Sequence, residues 1–232
     1  MKGTDRSTLL VTAIFIVAVV SVPKFDLAAV TALGAYPVFL LTSSGTALRT
    51  LSGHLLKLSP FILFMAAGNL LLDRTPAMEF MGATFTGGML SSAVILAKTT
   101  VTLSALLLIT LSMPFHRICR ALAELHLPDV LVTQLLLLYR YSWVLQEEAS
   151  SMQRARNLRS FGRRGKELRR TAPLLGSLLM RTTGRAERIY RAMEARGFSG
   201  ALLLEEPAAF SAGELGTTTL WALGFMMLRL IF

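Results

Sequence analysis

One cysteine, Cys119, stands in a chain of 232 residues. No intramolecular disulfide and no cysteine-rich metal site can be built from it, and it reads as a small buried apolar residue. Histidine is almost as scarce. His54, His116 and His126 are the whole set, and no two of them stand at helical spacing, so no metal site is expected among them. Acids are few, 14 against 24 lysines and arginines. Glu147 and Glu148 are adjacent, so on a helix they point apart and form a polar edge instead of an acid–base pair. The motifs G-x-x-x-x-G-K-[ST], H-E-x-x-H and G-x-S-x-G are all missing, which argues against nucleotide hydrolysis, zinc proteolysis and serine-hydrolase chemistry. No catalytic residue, cofactor or metal is expected in this chain. Zinc-ligand spacing, an RRM-type aromatic motif and basic-zipper heptads are absent too, so nucleic acid is not the expected partner of the positive charge.

What the chain has in abundance is apolar surface. Hydrophobic residues make up 53% and the mean hydropathy is +0.56, the profile of a membrane protein. The net charge of +10 is concentrated. From Arg154 to Arg196 there are 12 arginines and Lys166 against Glu167, Glu187 and Glu194, so this window carries the whole excess and the rest is balanced. Arginines flanking membrane spans stay on the cytoplasmic side, and Arg163, Arg164, Arg169 and Arg170 are expected to hold that topology or to meet anionic lipid heads.

Apolar stretches recur at Thr8–Val22, Leu27–Leu41, Leu58–Leu72, Met89–Met113 and Leu215–Phe232. With flanking residues, each approaches the roughly 20 residues that cross a bilayer as a helix. The expected fold is therefore all-α, a polytopic membrane protein with about five transmembrane helices. The first stretch follows Lys2 and Arg6 without a small-residue cleavage site and reads as a retained span. The segments "SSGTALRTLSGHLLK", "DRTPAMEFMGATFTGG" and "MPFHRICRALAELHLPD" read as the connections between spans. The organisation expected is N-terminal transmembrane helices over 1–113, interfacial and cytoplasmic helices over 114–206, and a C-terminal transmembrane helix over 207–232.

Two long helices are predicted in the middle region. Pro128 opens the first, which begins apolar and runs unbroken into charged sequence, with Gly162 and Gly165 as its stop. A sixth crossing here would place the arginine window outside, so the helix is expected to start at the interface and end in the cytoplasm. The second has Pro173 in its first turn and Gly197 at its end. Ala186, Ile189, Tyr190 and Met193 recur along one face of it, with Arg188 and Arg191 opposite and Arg196 at the border of the apolar stripe in the last turn. A terminal arginine is explained equally by the helix dipole and by contact with a partner. Lys98 interrupts an apolar stretch, beside Thr99 and Thr100, and suits a polar seam between helices or against a partner subunit. Arg140, flanked by tyrosines in "LLLLYRYSW", suits the membrane interface.

"RNLRSFG" at 156–162 and, with Arg196 37 positions after Arg159, "RAERIYRAM" leading into "EARGF" at 194–198 resemble the T component of energy-coupling factor (ECF) transporters, in the CbiQ-type cobalt/nickel branch. The resemblance extends upstream through "LSMPFHRICRALAELHLPDVLVTQLLLLYRYSWVLQEE" and covers roughly Leu103 to Gly200. It implies membrane spans followed by long cytoplasmic coupling helices that end in two x-Arg-x signatures. Here these are Leu158-Arg159-Ser160 and Ala195-Arg196-Gly197. The first departs from the commoner Ala-Arg-Gly form, and "RYSW" lacks the proline that often follows the Arg-aromatic pair.

The resemblance further implies that Arg159 and Arg196 dock two copies of an ABC ATPase, which hydrolyse the ATP. Closure of the ATPase dimer would be relayed to a separate substrate-binding membrane subunit, in a bacterial or archaeal inner membrane. An arginine fork suits an acidic groove, and the stripe Ala186, Ile189, Tyr190, Met193 would add apolar anchoring. The implied cargo is cobalt or nickel, with a vitamin as the nearest alternative within the family. A membrane-embedded lipid-modifying enzyme and a secondary transporter are the rivals from other classes. The first needs a catalytic constellation and the second needs internal repeats and broken helices.

Overall fold

The computed structural model describes residues 4–23, 26–72, 76–80, 83–159, 167–200 and 211–231, with side-chain surroundings left out at 71–86 and 167–170. The chain divides into two compact units, Met1–Ala121 with Ala208–Phe232, and Leu122–Pro207.

The first unit opens with α1 (Thr4–Ser21), followed by α2 (Leu27–Leu33), α3 (Ala35–Ser44) and α4 (Leu48–Leu72). A two-stranded hairpin comes next, β1 (Pro76–Phe80) and β2 (Ala83–Thr86), then α5 (Gly87–Ser112) and α6 (Phe115–Glu124), inside which the border between the units falls. The last helix, α9 (Ala212–Ile231), returns to this unit. α5 is its hub, packing on α1, α2, α3 and α4, while α9 packs on α1 and α2. Small residues make this possible: Gly87, Gly88, Ser91, Ser104 and Ala105 are buried on α5, and short side chains let helix backbones approach closely where lipid supplies no hydrophobic drive.

Aromatic rings fill the space between α1, α3 and α9. Tyr36 lies 4.7 Å from Phe15, 5.1 Å from Trp221 and 5.6 Å from Phe225, ring centre to ring centre. Its hydroxyl is 2.6 Å from Thr12 Oγ1, which is itself 2.7 Å from Thr8 O. Tyr36 donating to Thr12, and Thr12 donating to Thr8, satisfies the polar tip of a ring that is otherwise buried.

Three stretches, Leu27–Ser44, Leu48–Leu70 and Gly87–Ser112, are long and apolar enough to cross a membrane. The protein is therefore a multi-pass, helical membrane protein. The other two expected spans lie in α1 and α9, which carry Asp5 and Arg6, and Glu214 and Arg229, within their helical lengths. The Leu27–Ser44 stretch breaks at Gly34. Pro37, four residues after Leu33, cannot donate to the Leu33 carbonyl, and its ring crowds that carbonyl. The Gly34 amide instead bonds both Val30 O and Thr31 O at 3.1 Å. α4 contains Pro60 but does not break. Ser59 Oγ donates to Leu56 O at 2.8 Å, which replaces the bond Pro60 cannot make.

Three expectations need correction. "SSGTALRTLSGHLLK" is mostly not a connection, because α4 starts at Leu48, ten residues before the apolar stretch. Leu51 is buried and Leu55 packs on the core, a helical spacing too polar on its other face to register as a span. "DRTPAMEFMGATFTGG" is strand over Pro76–Phe80 and Ala83–Thr86: Met78 pairs with Phe85, Glu79 with Thr84 and Phe80 with Ala83 in antiparallel register. Phe80, Thr84, Phe85 and Thr86 favour strands, and Pro76 sits at the strand start, where a missing donor is tolerated. Finally, Pro173 is not in a first turn, since its helix begins at Glu167, about two turns earlier.

The second unit holds two long helices, α7 (Asp129–Arg159) and α8 (Glu167–Glu194). Pro128 is the residue before α7, and its carbonyl accepts from Leu131 N at 2.9 Å and Val132 N at 3.3 Å. At 1.5 Å per residue the two helices are roughly 46 and 42 Å long. The expected stop at Gly162 and Gly165 lies outside the described residues.

Candidate functional site

The helices of the second unit run antiparallel, held at two levels. Near the end of α7, Arg156 Nη1 donates to Thr171 Oγ1 at 3.3 Å. Midway, Glu148 faces Arg185 at 3.1 Å and Arg181 at 3.7 Å. Toward the start of α7 the helices flank a groove of about 570 Å³, lined by Leu136, Leu137, Tyr139, Arg140 and Tyr141 from one side and Ile189, Ala192, Met193 and Arg196 from the other. The half-buried positions of α8 are Thr171, Leu174, Leu178, Thr182, Arg185, Ile189 and Met193, with Gly184. Apart from Gly184, their spacing of three or four residues is that of a helix–helix seam.

The far end of α8 has a defined cap. Phe198 N donates to Met193 O at 3.0 Å and Gly197 N to Glu194 O at 2.9 Å, with Gly197 at φ +86°. This is the Schellman arrangement, in which a left-handed residue turns the chain back over the last carbonyls. Arg196 occupies the cap position immediately before the left-handed glycine, and it is exposed. Its guanidinium stands at the negative end of the α8 dipole and at the rim of the groove. Arg140 lines the same groove, 5.9 Å from the centre of the Tyr141 ring. Among the described residues neither arginine is in an ion pair, and no carboxylate lines the groove. The site is an apolar trough edged by two guanidiniums.

At the opposite end of the hairpin Arg159 is the last residue of α7, exposed, and beside it Leu158 is 82% exposed. Ser160 lies outside the described residues. The structure thus puts the two arginines at the two ends of the hairpin and does not bring them together. By the rise of α8 they stand roughly 40 Å apart.

Residues 3–206 match the family described as CbiQ, cobalt transport protein. This chain belongs to the CbiQ cobalt transport family. A curated relative is the putative fused cobalt transport protein CbiMQ of Methanocorpusculum labreanum, 26% identical over 146 residues. The alignment covers 62% of this chain, and the chain spans 24% of the length of that relative.

For this CbiQ family member, the other candidates named from sequence take the following places. Ile189 and Met193 are half-buried in the seam, and Ala186 and Tyr190 are exposed one position round the helix. Ala195 and Gly197 are exposed in the cap. His54 Nδ1 lies 2.8 Å from Thr50 O, bonded to its own helix. His126 adopts φ +62° and closes α6 as Gly197 closes α8, with Leu127 N on Leu122 O at 3.2 Å and His126 N on Ala123 O at 3.0 Å. Among the described residues no three His, Cys, Asp or Glu side chains gather as a metal site. Lys98 meets another helix: Nζ donates to Val22 O at 2.6 Å and Val20 O at 3.4 Å, satisfying carbonyls at the end of α1 that helix geometry leaves unpaired.

Several side chains were not singled out from sequence for the roles they hold. Glu148 read as a polar edge but staples α7 to α8. Arg6 read as a flank of an apolar run, yet it is buried and donates to Glu214 Oε2 at 3.0 Å. The same oxygen accepts Ser211 N at 3.2 Å. "SAGE" is a capping box, a signal that was legible three residues apart. Asp5 takes a forked pair from Arg117, 2.6 Å to Nε and 2.5 Å to Nη2, a contact no local pattern announces.

Proposed function

We propose that this chain is the transmembrane T subunit of an ECF-type importer of cobalt or nickel, a non-catalytic part that passes ATPase motion to a substrate-binding membrane subunit. One observation carries the reading. In a CbiQ family member, both x-Arg-x arginines close long helices, and the antiparallel hairpin holds them roughly 40 Å apart, too far for one small groove and suited to two copies of one partner. Leu158 beside Arg159, and Tyr190 near Arg196, are exposed apolar side chains that would anchor each contact while the guanidinium binds a carboxylate. The relative carries a fused cobalt transport name, which supports a part in cobalt transport here. Five spans are part of the proposal, with α1 and α9 crossing beside the three longer apolar stretches.

The test is affinity capture of the tagged chain from its native membrane in mild detergent, followed by mass spectrometry and by uptake of radiolabelled cobalt. An ABC ATPase and a small apolar membrane protein are expected to co-purify, and Arg159→Ala with Arg196→Ala to lose the ATPase and ATP-dependent uptake. A doubly substituted chain that keeps both would refute the role, and a chain that purifies alone would favour the secondary-transporter or lipid-enzyme reading.

A further inference from the structure

Arg159 is the exposed last residue of α7, and Arg196 shares a groove of about 570 Å³ with Arg140 of the other helix. That volume is in the roughly 300–1,000 Å³ range of clefts that enclose ligand-sized groups. Its floor, from Leu136, Leu137, Ile189 and Met193, is apolar. Its charge is of one sign, for no acidic side chain lines it and neither guanidinium is paired among the described residues.

From this juxtaposition we propose that the groove is a composite docking site in which Arg140 and Arg196 together hold one acidic, otherwise apolar segment of the ATPase. The inference rests on the T-subunit reading and extends it: Arg140, on α7, becomes a partner-binding residue. The occupant follows from complementarity. A carboxylate between two guanidinium forks gains charge-assisted hydrogen bonds from both, and apolar neighbours on the same segment fill the floor. Because Arg196 forms one rim, the segment in the groove belongs to whatever Arg196 docks. Tyr141 under the Arg140 guanidinium limits its freedom before the partner arrives, which lowers the entropy lost on binding.

The experiment uses the full-length chain and its ATPase, captured in detergent over a series of salt concentrations. Arg140→Gln is expected to weaken capture by roughly tenfold, the usual size for loss of a hydrogen bond to a charged group, and to flatten the salt dependence. Arg140→Lys, which keeps the charge without the fork, falls between. A photo-crosslinking residue at Ala192, in the groove, is expected to label an acidic segment of the ATPase. This arm needs no change at Arg140. If Arg196→Ala loses the ATPase while Arg140→Gln binds as the unchanged chain does, the composite site is wrong and the T-subunit role stands. If both variants bind normally even when Arg159→Ala is added to each, both readings fall. Crosslinks from Ala192 to lipid alone, or to no ATPase residue, also overturn the composite site.

Discussion

Replacing Gly197 in turn by asparagine, alanine and valine separates a conformational need for glycine from a steric one. A Cβ built at Gly197 meets nothing within 4 Å, while the backbone sits at φ +86°. The cost of a side chain is therefore the left-handed backbone itself, about 1–2 kcal/mol for an ordinary L-residue. Asparagine visits that region several times more readily than most, and a β-branched side chain is there a clear outlier. The expected order of damage is Asn, then Ala, then Val, although Asn is larger than Ala. A loss of about 1–2 kcal/mol lowers the capped population by roughly 5- to 30-fold. The amide of Phe198, which donates to Met193 O, reports this directly, because its hydrogen-exchange protection should fall by that factor in the alanine variant. ATPase capture through Arg196 should follow the same order, since the cap orients the residue before it. An order that follows side-chain size, or unchanged protection in Gly197→Ala, would refute the reasoning.

Glu214→Gln keeps the capping bond to Ser211 but removes the charge facing Arg6, and with side chains only 4% and 10% exposed the loss should be about 3 kcal/mol, read by thermal unfolding in detergent. A change below roughly 0.5 kcal/mol would place this pair with weak surface bridges. His126→Gly relieves the left-handed backbone at the end of α6 and should stabilise the protein by about 0.5–1 kcal/mol, the strain relieved less the freedom that glycine adds to the unfolded chain. A lowered melting temperature would show instead that the imidazole is needed. Burial pushes the Cys119 thiol up from its ordinary range, so the protonated form is the one the fold favours. Its contribution to stability is full below the ordinary thiol pKa and is lost as pH rises through the raised value. Maleimide labelling at neutral pH should be slow in the folded protein and fast after SDS, and equal rates would contradict the burial.

The broad architecture was legible because hydropathy is summed over many residues. The apolar stretches at 27–41, 58–72 and 89–113 each sit within a helix or helix pair, and Pro128 and Gly197 mark real helix ends because each acts through its own backbone. Legibility failed where a signal is short or two-sided. α4 begins in an amphipathic segment whose polar face hides it from a hydropathy window. The strands Pro76–Phe80 and Ala83–Thr86 are too brief to show a period. Pro173 read as a helix start because the rule for first-turn prolines does not say how much helix can precede one.

The sequence by itself determined that this is a helical, multi-pass membrane protein with its excess charge in one window, and it marked Arg159 and Arg196 through motifs that are local in the chain. Which side chains meet was decided only by tertiary structure. Arg6 finds Glu214 across 208 positions and Arg117 finds Asp5 across 112. Arg140 shares a groove with Arg196 because two long helices fold back on each other in one register. Such contacts depend on where a helix face points after packing, and a rotation of about 100° per residue makes that direction invisible until both partners are placed.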